Sequence, residues 1–492
     1  MLASLRKISS VQLVIAAFAV LAVFQTFFGE KITVNGGLGW DGQRYAVIIR
    51  DMDYMLAHEQ MDNYHLNRIS MLLLVNKSLK WGDIPVTHHS VIWAFSLFNL
   101  LFYLLSLLLA AKIAQKSGFD SITQALFLLL IFGSFHQTKL VFFYPVLTDC
   151  LAWFYCLLFL FLWISNHRFL LLLAILLSFF VYPVIPFLGI LLFCFGTESV
   201  SQSKPLQFNF ISYAVIAVTL VAAAILAGYL SYVYLPKILN LQINMSTFVQ
   251  EVVLTRTLNI FALLMVQALF SLVLAKCFLE GIKSNWRSLF FVLFQLALFA
   301  FLYSEIKTIG YRIAPTVSKY SFDNHLNYGF LNSSHLLLKN WVAHFQYFGL
   351  AMIIPFLILY KALREWTEVP TALLLIVGLF GLQSIDTESR HLFMYIPFLA
   401  MAGIQYINVK SKTDLLILAA TTLYFSKCWT FIGPMTESRA IPFGEWQRYF
   451  RFHGNWMDEY SYAIALFNLI LMVIGVGLWG RRKKIINAFS QS

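Results

Sequence analysis

The stretch VQLVIAAFAVLAVFQTFFGEKITVNGGLGWDGQRY, Val11 to Tyr45, sets the terms for the rest of the chain. Val11–Phe28 is an apolar run, broken only by Gln12, Gln25 and Thr26, and approaches the ~20 residues needed to cross hydrocarbon as a helix. Arg6 and Lys7 precede it, as in a secretory leader. Gly29-Glu30-Lys31, however, is not a small-residue cleavage site, so the run reads as an uncleaved first span with the N-terminus inside. The chain then leaves the membrane into Gly36, Gly37, Gly39 and Gly42, which let the backbone turn tightly and approach another group closely. Trp40 suits the lipid–water interface, and Asp41 is a carboxylate held beside it. Tyr45, Ile48, Ile49, Met52 and Leu56 follow at helical spacing, with Arg50 and Asp51 on the other side. This pattern predicts a short amphipathic helix lying on the bilayer. Asp41 at its head can meet a lipid headgroup or cap the helix; the residues alone leave both readings open.

The same grammar repeats along all 492 residues. The chain is 60% hydrophobic, 17% aromatic and only 12% charged, more apolar than a soluble core requires. Apolar runs of spanning length recur from end to end, without the short alternating segments of an outer-membrane barrel. The fold class expected is an all-α polytopic membrane protein, one transmembrane domain over 1–492. The net charge of +12 does not indicate a nucleic-acid partner. The cations are spread among loops, and Arg481-Arg482-Lys483-Lys484 after the last apolar run reads as a cytoplasmic anchor. Cys150, Cys156, Cys194, Cys277 and Cys428 lie in or beside apolar runs with no CxxC pair, as packing residues do.

In chain order, the first outer loop covers 29–89 and closes at His88-His89. Spans follow at 90–111 and 121–135, and His136-Gln137-Thr138-Lys139 is expected to reach the outer side. Pro145 then precedes a fourth span with Thr148 and Asp149 in its first turn, where an ionisable group is a functional candidate or a cap. Residues 169–196, broken by Pro183 and Pro186, read as two short spans joined outside. Further spans are expected near 209–235, 258–280, 288–303, 344–362, 369–384, 392–408, 413–428 and 461–480. The total is about fourteen, with both ends inside. Two more outer loops, 304–343 and 429–460, carry mixed charges. The short turn Asp386-Thr387-Glu388-Ser389-Arg390-His391 packs two acids, an arginine and a histidine into six residues. The sequons at Asn76, Asn244 and Asn332 matter only in a host that glycosylates them.

Ionisable clusters thus gather on one side, while the centres of most spans are Leu, Phe, Ile and Ala. A transporter would bury polar groups near the midplane in two related halves, and no internal repeat is visible. A carboxylate at the outer leaflet can deprotonate a hydroxyl, and an arginine beside it can hold a phosphate through paired charge-assisted bonds. Together they suit group transfer from a lipid phosphate, with Asp41 as base and Arg390 on the departing phosphate.

The pattern resembles the GT-C superfamily of integral-membrane glycosyltransferases. Gly39-Trp40-Asp41-Gly42-Gln43-Arg44-Tyr45 looks like the family's acidic motif in the first outer loop, Asp149 matches its second acid, and Ser389-Arg390-His391 with Pro397 looks similar to its late basic step. The resemblance implies a GT-C-like layout with interfacial helices in the first loop and a catalytic Asp41. It implies a donor phosphate on Arg390 and His391, and substrate contacts at Trp40, Gln43, Arg44, Tyr45 and Glu388. The donor implied is a polyprenyl-phosphate sugar; the acceptor is a saccharide, lipid or protein, with membrane lipids around the chain. The site would face the outside of a bacterial inner membrane. Only one acid stands at the second position, where metal-using members carry a pair, so a divalent metal stays possible without being assigned. Two other readings remain: a lipid-linked polysaccharide polymerase or ligase leaning on Arg312, Arg439, Arg448 and Arg451, and a non-enzymatic flippase of lipid-linked sugars.

Overall fold

A computed structural model describes residues 9–195, 258–271, 286–313, 333–364, 369–386, 388–407, 409, 411–433, 457 and 459–490. Among these the chain is helical, with no β-strand. Five helices are long and apolar enough to cross a bilayer: Ser10–Phe27, His88–Lys116, Val292–Gly310, Lys339–Lys361 and Glu459–Leu478. A sixth results if Ser121–Phe132 and His136–Phe143, bent by 68°, form one broken span. Five more apolar helices are shorter: Asp149–Ile164, Arg168–Ser178, Ile185–Phe195, Leu258–Ser271 and Thr371–Gln383. Such an array is compatible with a multi-pass membrane protein.

The His88–Lys116 helix shows how the sequence dictates the arrangement. Thr87 and Ser90 form a reciprocal cap at its start. Leu97, Leu101, Leu105 and Leu108 point outward, whereas Ser96, Asn99, Tyr103 and Ser106 are buried. An apolar outer stripe with the polar residues turned inward fits a helix solvated by lipid. Asn99 uses its inward position: its Nδ2 donates to the Pro145 carbonyl at 2.8 Å and the Val141 carbonyl at 3.4 Å. Pro145 lies in the bend between Phe143 and Asp149 and Val141 just before it, and freed backbone groups at membrane depth must be satisfied internally. The helix packs along Asp149–Ile164, and Ser10–Phe27 packs on Ser121–Phe132. Arg168–Ser178 and Ile185–Phe195 are two helices lying against each other, as expected for 169–196.

Three local expectations are corrected. His136-Gln137-Thr138-Lys139 does not emerge as surface; it forms a buried π-helical turn, His136–Leu140. Thr138 Oγ1 donates to the Ser426 carbonyl at 2.9 Å and Lys139 pairs with Glu30 at 2.8 Å, while both side-chain polar atoms of Gln137 are buried without a hydrogen-bond partner. Second, the loop expected over 304–343 is partly helix. The helix from Trp286 runs to Ile313, and another begins at Lys339; residues 314–332 lie outside the described residues. Third, the helix after Trp40, Gly39–Arg50, does not lie bare on lipid. Its apolar face, Tyr45, Ile48 and Ile49, is buried against the Ile69–Trp81 helix, where Asn76 Nδ2 bonds the Ile49 carbonyl at 2.6 Å. Asn76 is therefore no accessible glycan acceptor. Arg50 and Asp51 are exposed and paired at 2.8 Å. Most of the 429–460 loop, the span at 209–235 and Cys277 lie outside the described residues.

Candidate functional site

Asp41 is the third residue of the Gly39–Arg50 helix. Carboxylates are favoured there by the helix dipole, yet its side chain makes no capping bond. It reaches Arg390, with Oδ2 3.3 Å from Nη1. The turn is fixed by Tyr144, whose hydroxyl accepts from the backbone N–H of Asp41 at 2.7 Å and of Gly42 at 3.3 Å. This explains two of the glycines. Gly39 has φ +70°, and a Cβ there would collide with the Tyr144 ring; one on Gly42 would come within 2.8 Å of Val146. The close backbone approach these glycines allow is made to the chain's own Tyr144–Val146 segment. Trp40 is half-buried and stands edge-on to Tyr144, 6.3 Å between ring centres.

Arg390 comes from the other end of the chain, on the 3₁₀ turn Ser389–Tyr395. It bridges two acids: Nη1 to Asp41, and Nη2 to Glu388 Oε1 at 3.0 Å. Its Nε is buried without a hydrogen-bond partner. His391 Nδ1 lies 2.7 Å from Asp386 Oδ2, and Nε2 is 3.8 Å from Glu388. Burial alone would lower the His391 pKa, but the Glu388 and Asp386 carboxylates outweigh it and hold the imidazole above its ordinary 6.5. The turn is anchored from below. His344 Nδ1 meets Ser389 Oγ at 2.9 Å, His344 Nε2 meets the Ser384 carbonyl at 3.0 Å, and Asn340 Nδ2 donates to that same carbonyl at 2.6 Å.

Asp149 opens the Asp149–Ile164 helix and is 2% exposed. It is not a cap by side-chain bonding: Oδ2 has no hydrogen-bond partner and lies 3.9 Å from His136 Nε2. Trp153, one turn on, packs on Phe393 at 6.1 Å, and His136 stacks on that ring at 4.5 Å with 9° between planes. Asp149 therefore borders the turn that carries Arg390. Arg390, Arg68, His391 and Asp41 are all near enough to act electrostatically on its carboxyl.

The structure thus joins Asp41, Glu388, Arg390 and His391 through direct contacts and sets Asp149 behind them. Tyr45 is fully buried one turn below Asp41, while Gln43 and Arg44 are exposed. Arg312 is exposed at the end of its helix, and Arg439, Arg448 and Arg451 lie outside the described residues. The acids of this cluster are paired with its cations. Asp41 and Glu388 are both engaged by Arg390, and Asp386 by His391; among the described residues no group of three or more His, Cys, Asp or Glu could hold an ion. Sequence reasoning missed Arg68, Tyr144, Tyr182 and His344. A lone tyrosine, arginine or histidine carries no periodic signal, and only three-dimensional proximity singles these out.

No family model, curated protein or solved structure matches the chain.

Proposed function

We propose that the protein is a GT-C-like glycosyltransferase with about fourteen spans, moving a sugar from a polyprenyl-phosphate donor to an acceptor hydroxyl at the extracytoplasmic face. One observation carries the reading: Asp41 and Arg390, 349 positions apart, meet at 3.3 Å beside a membrane-type helix array. A base and an anion-binding group are the two parts that transfer from a phosphate leaving group needs.

The acceptor hydroxyl gives its proton to the Asp41 carboxylate as its oxygen bonds to the anomeric carbon of the sugar. The bond from that carbon to the phosphate oxygen breaks, and its electron pair leaves with the polyprenyl phosphate. Arg390 receives the charge that develops there, with Glu388 orienting the guanidinium. Before substrate binds, Arg390 is occupied by Asp41. An incoming phosphate takes over Nη1 and releases the carboxylate to act as base. His391, whose pKa Glu388 and Asp386 hold above its ordinary value, stands at the same edge.

The test is transfer from a panel of radiolabelled polyprenyl-phosphate sugars by purified protein, wild type against Asp41→Asn. Transfer by the wild type that is lost in a folded, membrane-inserted variant supports the reading. Movement of labelled donor across liposomes with no transfer at all rejects it in favour of a flippase.

A further inference from the structure

Arg68 takes no part in the mechanism above. It is 6% exposed, yet among the described residues no carboxylate lies within 4.0 Å of it. Its guanidinium carbon sits 4.3 Å over the Tyr64 ring and 4.4 Å over the Tyr182 ring. Nη1 is 3.5 Å from the Tyr45 hydroxyl, and Nε is buried with no partner. A guanidinium stays charged at any physiological pH, and a desolvated charge calls for an opposite one. The tyrosines do not supply it. Burial pushes the Tyr45 phenol up to about 12 and raises those of Tyr64 and Tyr182, so all three are neutral. Their faces clamp the cation by cation–π contact while its N–H edge keeps bonding capacity.

This cation, in no ion pair among the described residues and acted on by Asp41 and Asp149 only at longer range, adjoins the site. Tyr45 follows Asp41 by four residues on one helix face. Tyr182 packs on Phe393 at 5.9 Å, three residues past Arg390. We propose that Arg68, clamped by Tyr64 and Tyr182, is a second anion subsite that binds the lipid phosphate together with Arg390. The identity of the lipid rests on the glycosyltransferase reading; that Arg68 makes no ion pair among the described residues, with Asp41 and Asp149 acting on it only from beyond 4.0 Å, does not.

The experiment titrates full-length protein in detergent with farnesyl phosphate, farnesol and inorganic phosphate. Wild type is expected to prefer farnesyl phosphate over the other two. Arg68→Gln should weaken farnesyl phosphate about 10- to 100-fold, the range for a lost charge-assisted bond, and leave farnesol unchanged. Arg68→Lys, which keeps the charge but not the planar fork, should fall between and covers the case in which Arg68→Gln does not fold. Unchanged phosphate affinity in both variants, or equal loss for phosphate and alcohol, overturns the subsite. If wild type prefers farnesyl phosphate and the Arg68 variants do likewise, the subsite fails and the glycosyltransferase reading stands. If wild type prefers inorganic phosphate, the anion is a free ion, and the lipid assignment fails with that reading.

Discussion

Replacing Asp41 by asparagine should do two opposite things at once: abolish transfer and tighten donor binding. At 3.3 Å the attraction between Asp41 and Arg390 is about 5 kcal/mol at an effective dielectric near 20 and about 1 kcal/mol in bulk water. The side chains are 30% and 15% exposed, so the pair lies between those limits. Glu388, 3.0 Å from Nη2, remains to neutralise Arg390 whether or not Asp41 is charged, which leaves only part of the attraction at stake. A gain of about 1–2 kcal/mol is expected, or roughly 5- to 30-fold in affinity for a phosphate that must displace Asp41. The sign is reinforced because the variant also removes carboxylate–phosphate repulsion. The assay is a farnesyl phosphate titration of detergent-solubilised wild type and variant, run beside the transfer assay. Transfer at the wild-type rate refutes the assignment of the base. Unchanged or weaker phosphate binding refutes the exchange of partners at Arg390.

Three further outcomes follow from the same geometry. Arg390→Lys keeps one charge but cannot reach Asp41 and Glu388 together, so transfer should fall by about 10²–10³ with the protein still folded; near-normal rates would show that the fork is unimportant. His391 has a raised pKa, so its ion pairs with Asp386 and Glu388 stabilise fully below pH 6.5 and fade as pH climbs through the raised value. The melting-temperature difference between wild type and His391→Gln should therefore shrink from pH 6 upward, and a difference flat from pH 6 to 9 contradicts the pairing. Tyr144→Phe removes the acceptor for two backbone N–H groups at the Asp41 turn, a loss of about 1–2 kcal/mol. Gly39→Ala should be worse, since the left-handed backbone costs an added roughly 1–2 kcal/mol and the new Cβ strikes the Tyr144 ring. Thermal unfolding of the two variants ranks them, and the reverse order would discount the Tyr144 contact.

The helices were legible in the residues because lipid imposes a local rule. A run such as Val11–Phe28 or the one centred on Leu101 must be apolar along its own length, whatever it packs against. The paired helices at 169–196 followed from Pro183 and Pro186, which act on their immediate neighbours. Residues 136–139 misled for the opposite reason. Local polarity reads as exposure, yet Tyr347, Glu30 and Ser426, from remote segments, make burial affordable. The helix after Trp40 shows the same limit: an apolar face states that it must be covered but not whether lipid or the Ile69–Trp81 helix covers it. Asp41 and Arg390 could each be nominated from the residues around them. Their meeting at 3.3 Å, the two-acid bridge at Arg390, the tyrosine clamp on Arg68 and the anchoring of the Arg390 turn by His344 all depend on segments tens to hundreds of positions apart. Hydrophobic periodicity is a property of neighbours along the chain, whereas a site is a property of neighbours in space, and only packing turns the first into the second.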